Sequence, residues 1–126
     1  MLKGIAASSG ITIAKAYKLE TPEIVIECKQ SNPAEEIEKF NKALEQSKKD
    51  IETIKEKATG RLSEDDLKIF DAHLMVCDDP ALCDGVIDKI NSESVNADYA
   101  LDAVAGMFIS MFESLEDAYM RERAAD

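Results

Sequence analysis

One long run of heptad spacing constrains this chain more than any other feature of its sequence. Apolar or small residues recur in steps of three and four at Ile37, Phe40, Leu44, Ser47, Ile51, Ile54 and Ala58. Such spacing keeps side chains along one side of an α-helix for about three heptads, and only Ser47 interrupts the apolar character. Ser31 or Asn32 can cap this helix, and Gly60 ends it. The sequence therefore predicts one long helix whose apolar side other elements must cover.

A capping signal and an apolar stripe predict a second, shorter helix. Ser63 precedes three acidic residues, Glu64 to Asp66, which is typical of a capping box at a helix start. The apolar side of this helix would carry Leu67, Phe70, Leu74 and Cys77. The helix should end before Pro80, because the residue before a proline is pushed out of helical geometry.

Two more helices are predicted beyond this proline. Asp79 can cap a third helix that starts at Pro80. Its apolar residues are Leu82, Val86 and Ile90. Asn96 is expected to cap a fourth helix, whose seam is formed by Val104, Phe108, Met111 and Leu115. This second seam is the expected partner of the first. The final segment, SLEDAYMRERAAD, favours a helix to its last residue, so we expect the last helix to be truncated.

Residues 1–27 differ in character from the helical remainder. Ile, Val and small residues predict short strands from Ile11 to Leu19 and from Ile24 to Glu27. Two short strands do not form a stable sheet alone, which indicates that the chain is a piece of something longer. The predicted fold class is mainly α: an antiparallel helical hairpin or four-helix-bundle-like unit over residues 31–126, with a short N-terminal β segment.

The composition limits the classes of partner. At 126 residues the chain is long enough for one domain with its own core. Its formal net charge of −11 repels nucleic acid, and it either favours a basic protein partner or only keeps the domain soluble. No apolar run approaches the length of a membrane span, so a soluble protein is expected. Three cysteines without a CxxC motif or a secretory signal indicate free thiols in a reducing cytoplasm.

The single histidine, His73, invites a catalytic or metal-binding interpretation that its surroundings do not favour. His73 and Cys77 are four residues apart, so both could face one ion, with Asp78 or Cys83 completing a site in principle. A zinc site needs three or four convergent ligands, and helical spacing places only two. Asp71 lies on a different side of the helix from His73 and cannot orient it for catalysis. A stand-alone helical metal-binding enzyme using His73 and Cys77 stays open as the alternative.

The second helix also carries apolar residues outside its core-facing stripe. Ile69, Met75 and Val76 are surrounded by carboxylates. These acidic residues are Glu64, Asp65, Asp71, Asp78 and Asp79. An apolar centre with an acidic rim is typical of a docking site for a basic protein. A helix buried on two sides, with its charges simply solvated, is the other interpretation.

Four segments carry a family resemblance: KGIAASSGITIAKAY, IFDAHLMVCDDPAL, VNADYAL and DAYMRERAAD. In the same order and at the same spacing, they resemble segments of bacterial Enzyme I, the phosphoenolpyruvate-protein phosphotransferases of the sugar-uptake system. Departures are small, with Ser9 at a position where the family commonly has proline or another small residue, and Cys77 where an aliphatic residue is common.

The resemblance implies that residues 31–126 are the helical subdomain that binds HPr, the small histidine-containing phosphocarrier protein. Residues 1–27 would begin the α/β subdomain that carries the phosphorylated histidine. In the family that histidine lies in a later TSH-type motif, which this chain does not contain. His73 is therefore not the phosphohistidine, and no catalytic residue and no metal ligand is expected in this chain.

The resemblance also implies a set of HPr-facing residues and the properties of the intact enzyme. The implied contacts are Glu64, Asp65, Asp71, His73, Met75, Val76, Asp79, Leu82, Phe112, Met120 and Arg123. The intact enzyme would be a cytoplasmic kinase-type transferase that binds phosphoenolpyruvate and magnesium in a C-terminal domain and dimerises through that domain. Nucleic acid and membranes are not expected partners.

Overall fold

Four α-helices make up the computed structural model, which describes Ile5, residues 9–18, residues 24–118 and Arg121. In chain order they are α1 (Pro33–Ala58), α2 (Glu64–Cys77), α3 (Pro80–Glu93) and α4 (Ala97–Glu113). The predicted fold class, mainly α with a helical hairpin in a bundle-like unit, is confirmed.

The helix starts follow the predicted capping chemistry. The Asn32 side chain accepts a hydrogen bond from the Ala34 amide at 3.1 Å, and Pro33 occupies the first turn of α1. Ser63 and Asp66 form the predicted capping box of α2, each side chain bonding to the backbone of the other. Capping of this kind satisfies amide groups that the first turn leaves without partners.

Two ion pairs show the direction and register of α2 against α1. Lys55 Nζ lies 2.5 Å from Asp71 Oδ1, and Lys48, seven residues earlier on α1, pairs with Asp78, seven residues later at the end of α2. The earlier lysine meets the later aspartate, so the two helices are antiparallel. Gly60, with a φ of 83°, reverses the chain between them in a conformation that is favourable for glycine.

Helices α3 and α4 cover the N-terminal half of α1. The fully buried core lies here and contains Phe40, Val86, Ile90, Val95, Ala97, Ala100 and Val104. A Cβ atom at Gly85 would lie 3.3 Å from Val104 Cγ1, so the missing side chain lets α3 and α4 approach closely. The Ala97 amide donates to Glu36 Oε2 at 2.7 Å, which fixes the start of α4 beside the first turns of α1.

The C-terminal half of α1 is covered by α2 alone, and this layer is thin. The predicted stripe of α2 is confirmed, because Leu67, Phe70, Leu74 and Cys77 are all half-buried. No residue of α2 is fully buried, and α2 makes no close contact with α4 among the described residues. The hairpin of α1 and α2 therefore extends beyond the core.

The seam of α1 departs from the predicted heptad positions in this thin layer. Ser47 and Ile54 are exposed, and the following residues, Lys48 and Lys55, are half-buried in their place. An α-helix has 3.6 residues per turn, so the side that faces a straight neighbour drifts away from a strict seven-residue repeat. The contact side of the second half of α1 thus includes two lysines.

The predicted seam of α4 is only partly correct. Val104 is buried and Phe108 half-buried, but Met111 and Leu115 are exposed because α2, not α4, covers the second half of α1. Helix α4 does not run unbroken into the last segment, although Ala118 and Arg121 are again helical and the Arg121 amide donates to the Asp117 carbonyl at 3.0 Å. It ends at Glu113, and the Ser114 hydroxyl donates to the Met111 carbonyl at 2.7 Å.

The predicted β segment is not seen where the structure describes residues 1–27. Residues 11–18 and 24–27 are in no strand, and the remainder of both strand predictions lies outside the described residues. A strand needs a hydrogen-bonding neighbour, and the described residues supply only an isolated bridge between Gln30 and Val95.

Asn96 anchors this N-terminal segment instead of capping α4 through its side chain. The buried amide group accepts from the Lys29 amide at 2.8 Å and donates to the Glu27 carbonyl at 2.9 Å and to Asp98 at 2.8 Å. The hydrogen bond from Asn96 is the largest cause of a lowered pKa for Asp98. Asn96 is the predicted cap position, but its side chain makes no capping bond.

Truncation of the buried core should destabilise the domain strongly. We expect Ile90→Ala to lower the free energy of unfolding by about 2–5 kcal/mol, because Ile90 is fully buried and its removal leaves a cavity. Ile54→Ala, the same change at an exposed position of α1, should cost less than about 1 kcal/mol. Urea unfolding followed by circular dichroism measures both, and equal losses would contradict this description of the core.

Replacement of Asn96 by aspartate should cost stability in a pH-dependent way. Asn96→Asp keeps an acceptor for Lys29 but removes both donated hydrogen bonds and places a carboxylate beside Asp98. We expect a loss of about 1–3 kcal/mol at pH 7. The introduced carboxyl should have a raised pKa in the folded state, so the loss should shrink as the pH falls towards about 4.

Asn41→Asp, at an exposed position of α1, is the matched control for this change. Its effect on the urea midpoint should be small at both pH values. If the loss of unfolding free energy for Asn96→Asp stays constant between pH 7 and pH 4, repulsion between the introduced carboxylate and Asp98 is not its cause.

Candidate functional site

A shallow groove marks the corner where α2 ends and α3 begins. It is lined by Asp71, Leu74, Met75, Asp78, Asp79 and Pro80. The corner is tight because Asp78 ends α2 and Asp79 caps α3, accepting a hydrogen bond from the Ala81 amide at 2.8 Å. Pro80 occupies the first turn of α3, where its missing amide proton has no cost. The groove walls therefore belong to two helix ends held by local capping.

Apolar side chains are exposed on α2, and one of them, Met75, lines this groove. Met75 is 74% exposed and Val76 57% exposed, and Ile69 is also exposed on α2. The sequence placed all three outside the core-facing stripe, and their exposure is consistent with that placement. Leu82 is different, because it is half-buried and packs against the core cluster. Only its outer part can contribute to a surface.

Carboxylates surround the exposed apolar residues, but two of them already have cationic partners. Asp71 pairs with Lys55 and Asp78 with Lys48, both across the interface between α1 and α2. The hydrogen bond that Lys48 donates to Asp78 is the main cause of a raised pKa for Lys48. The negative charge of the groove is therefore partly neutralised from within the chain.

The structure brings together some of the residues that the sequence assigns to the docking surface. Asp71, Met75 and Asp79 line the groove, and Val76, the residue after Met75, is exposed on α2. His73 is half-buried on α2. Glu64 and Asp65 are exposed in the first turn of α2, and Asp65 lies about 9 Å from Asp71 along the helix axis. Asp65 also pairs with Lys68 at 2.6 Å.

Phe112 does not join the groove, and two other predicted residues lie where the structure gives no description. Phe112 is half-buried on α4, which has no close contact with α2 in the part of the chain that is described. Met120 and Arg123 lie outside the described residues. The surface assigned by the resemblance is thus seen in part, along α2 and the start of α3.

Sequence reasoning missed the lysines that hold the groove carboxylates. A strict heptad predicts that Ser47 and Ile54 face the neighbouring helix, so it does not predict that role for Lys48 and Lys55. A signal was available, since after Leu44 the chain also steps by four and three through Lys48, Ile51, Lys55 and Ala58. Lys48 and Lys55 are seven residues apart on α1, and Asp71 and Asp78 are seven residues apart on the facing segment. This equal spacing indicates ion pairs between the two helices.

The metal-binding alternative finds no support. No group of three His, Cys, Asp or Glu side chains that could hold an ion is found among the described residues. Cys77 is half-buried, and its carbonyl accepts a weak hydrogen bond from Cys83 Sγ at 3.4 Å. Burial raises the pKa of Cys83, so its thiol stays protonated at neutral pH. These cysteines behave as small apolar residues.

Comparisons with a protein-family model and with known proteins all point to enzymes that use phosphoenolpyruvate. Residues 3–123 match the family model described as PEP-utilising enzyme, N-terminal. The phosphoenolpyruvate-protein phosphotransferases of Priestia megaterium and Bacillus subtilis (strain 168) are 52% and 49% identical to this chain over 126 residues. The alignments cover 99% of this chain and 22% of each relative, so the chain spans about a fifth of their length. None of the helices in the described part is long and apolar enough to cross a membrane.

Two solved structures share the fold. An NMR solution structure of Enzyme I (nEIt) has a TM-score of 0.74 and 41% identity, covering 82% of this chain and 43% of that one. The N-terminal domain of Enzyme 1 - Nitrogen has a TM-score of 0.71 and 25% identity, covering 80% and 42%. The match to the family model covers nearly the whole sequence, and this chain therefore belongs to the family of PEP-utilising enzymes, as part of their N-terminal region.

Proposed function

We propose that this chain is the part of a phosphoenolpyruvate-protein phosphotransferase that docks HPr. The observation that carries the proposal is the exposure of Met75 among the carboxylates of the groove between α2 and α3, with Val76 exposed as the next residue of α2. The reaction is inferred from the relatives, which are named phosphoenolpyruvate-protein phosphotransferases. In the intact enzyme, a phosphoryl group would pass from phosphoenolpyruvate to a histidine elsewhere in the protein and then to HPr, for sugar uptake.

The apolar part of the groove would supply most of the binding free energy. Covering a fully exposed Met or Val side chain contributes about 1.5–3 kcal/mol, and Met75 and Val76 are largely exposed before binding. Methionine adapts its shape readily, which suits a partner that binds and leaves in each cycle. The outer part of Leu82 and the edge of His73 would extend this apolar centre.

The charge of the domain would bring the partner to the groove. A net charge of −11 attracts a basic protein surface over a distance of about one Debye length, roughly 8–10 Å. Asp71 and Asp79 at the groove would orient basic side chains of the partner, with Glu64 and Asp65 as outer contacts. Such charges raise the association rate more than they raise affinity.

The contribution of this chain to phosphoryl transfer would be positioning. The transfer itself depends on alignment and on stabilisation of charge, and a docked carrier is already held near its donor. A rigid platform built on helices suits this role. Magnesium, which the intact enzyme would use, supplies charge neutralisation at the phosphoryl group, and no set of residues that fits a metal ion is found in the described ranges of this chain.

The intact protein would extend this arrangement. Residues 1–27 would begin the α/β subdomain that carries the phosphorylated histidine, and residues 31–126 would be the docking subdomain. Phe112, Met120 and Arg123 would add contacts from the C-terminal part of this chain. The enzyme would act in the cytoplasm and dimerise through a C-terminal domain, without nucleic acid or membrane as a partner.

Introducing a charge at the apolar centre should weaken HPr binding. We expect Met75→Asp to raise the Kd for cognate HPr by about tenfold or more, because it removes apolar burial and places a carboxylate in a desolvated contact. The fold should be unaffected, since Met75 is 74% exposed. Isothermal titration calorimetry measures the Kd, and circular dichroism checks the fold.

Thr53→Asp is the control for this substitution. It adds the same charge on the side of α1 that faces away from α2, so its effect on the Kd should be less than about twofold. An unchanged Kd for Met75→Asp, in a chain that binds HPr, would remove the groove from the docking surface.

A further inference from the structure

We propose that Lys48 and Lys55 tune this docking face by competing with the cationic side chains of a basic partner for Asp78 and Asp71. The inference rests on the proposed function, because it concerns the partner that would bind the same groove. It assigns a role to two residues that lie on α1, outside the groove itself. In this role they are internal competitors that limit how tightly the partner binds.

The two ion pairs share an asymmetric geometry. The side chains of Lys48 and Lys55 are 29% and 33% exposed, whereas those of Asp78 and Asp71 are 66% and 54% exposed. The lysines therefore approach from the covered side, between α1 and α2, and the carboxylates face outward. Each aspartate can be reached by a partner from solvent while its internal lysine stays in place.

Both carboxylates lie in the proposed contact area. Asp71 and Asp78 line the groove together with Met75, and neither lysine does. A partner cation at Asp71 would meet a carboxylate whose Oδ1 already accepts from Lys55 Nζ at 2.5 Å. It would then gain less attraction, and it would also be repelled by the ammonium group behind the carboxylate.

Lys42, also on α1, lacks this arrangement. Lys42 pairs with Glu38 at 2.5 Å within one helix, and both side chains are largely exposed. Lys42 lies two residues from both Phe40 and Leu44, which places it on the opposite side of α1 from the core. It carries the same charge as Lys55 but is not connected to the groove, so it serves as the reference position.

Competition predicts opposite effects for two substitutions at one position. Lys55→Met keeps the apolar stem that packs between the helices but removes the charge, so HPr should bind roughly two- to fivefold more tightly. Lys55→Arg keeps the charge and holds a carboxylate more firmly, so HPr should bind more weakly. Lys42→Met and Lys42→Arg should change the Kd by less than about 1.5-fold.

The measurement is isothermal titration calorimetry of the 126-residue chain and its variants with cognate HPr at low and physiological salt. Lys48→Met tests the second pair independently, and thermal unfolding followed by circular dichroism confirms that each variant is folded. Tighter binding by Lys48→Met or Lys55→Met than by Lys42→Met, together with weaker binding by Lys55→Arg, supports the proposal.

Two results would overturn it. If the Lys→Met variants at 48 and 55 bind HPr no more tightly than Lys42→Met, the lysines only hold α1 to α2, and the docking function stands without them. If the unmodified chain does not bind HPr at all, the proposed function fails and this inference fails with it.

Discussion

At 26 residues α1 is nearly twice as long as α2 or α3, which have 14 residues each, so its apolar side can be covered only by helices placed one after the other. Helices α2 and α3 run in series along α1, and the turn between them falls near its middle. That turn, at Asp78 and Asp79, is where the groove forms. The position of the candidate site thus follows from the length of one helix.

The two halves of α1 are covered to different depths. At the N-terminal half, α3 and α4 enclose Phe40 and Ile90 in a buried core. At the C-terminal half, α2 is the only cover, none of its residues is fully buried, and two lysines of α1 sit in the contact with their charges directed at aspartates. A thin layer of this kind leaves the outer side of α2 free for a partner and places opposite charges close beneath it.

Local signals made much of this predictable from sequence. The capping box at Ser63, the Asp79-Pro80 start of α3 and the exposed position of Met75 all depend on neighbouring residues, which one sequence displays. Which helix covers each apolar seam was harder to predict. Met111 fits the apolar stripe of α4 equally well whether α4 or α2 covers the second half of α1. The lysine pairs could not be predicted from a strict heptad, because a helix with 3.6 residues per turn drifts away from that repeat. The anchoring of residues 27–31 by Asn96 could not be predicted either, because it relies on contacts distant in sequence.

Docking of HPr at the groove between α2 and α3 is what we propose for this chain. The most direct test is an NMR titration of the isotope-labelled chain with unlabelled cognate HPr, following backbone amide shifts at every residue. The largest shifts should cluster at residues 64–82, with Met75 and Val76 among them, and the core around Ile90 should change little. Shifts confined to other parts of the chain, or no shifts at saturating HPr, would contradict it.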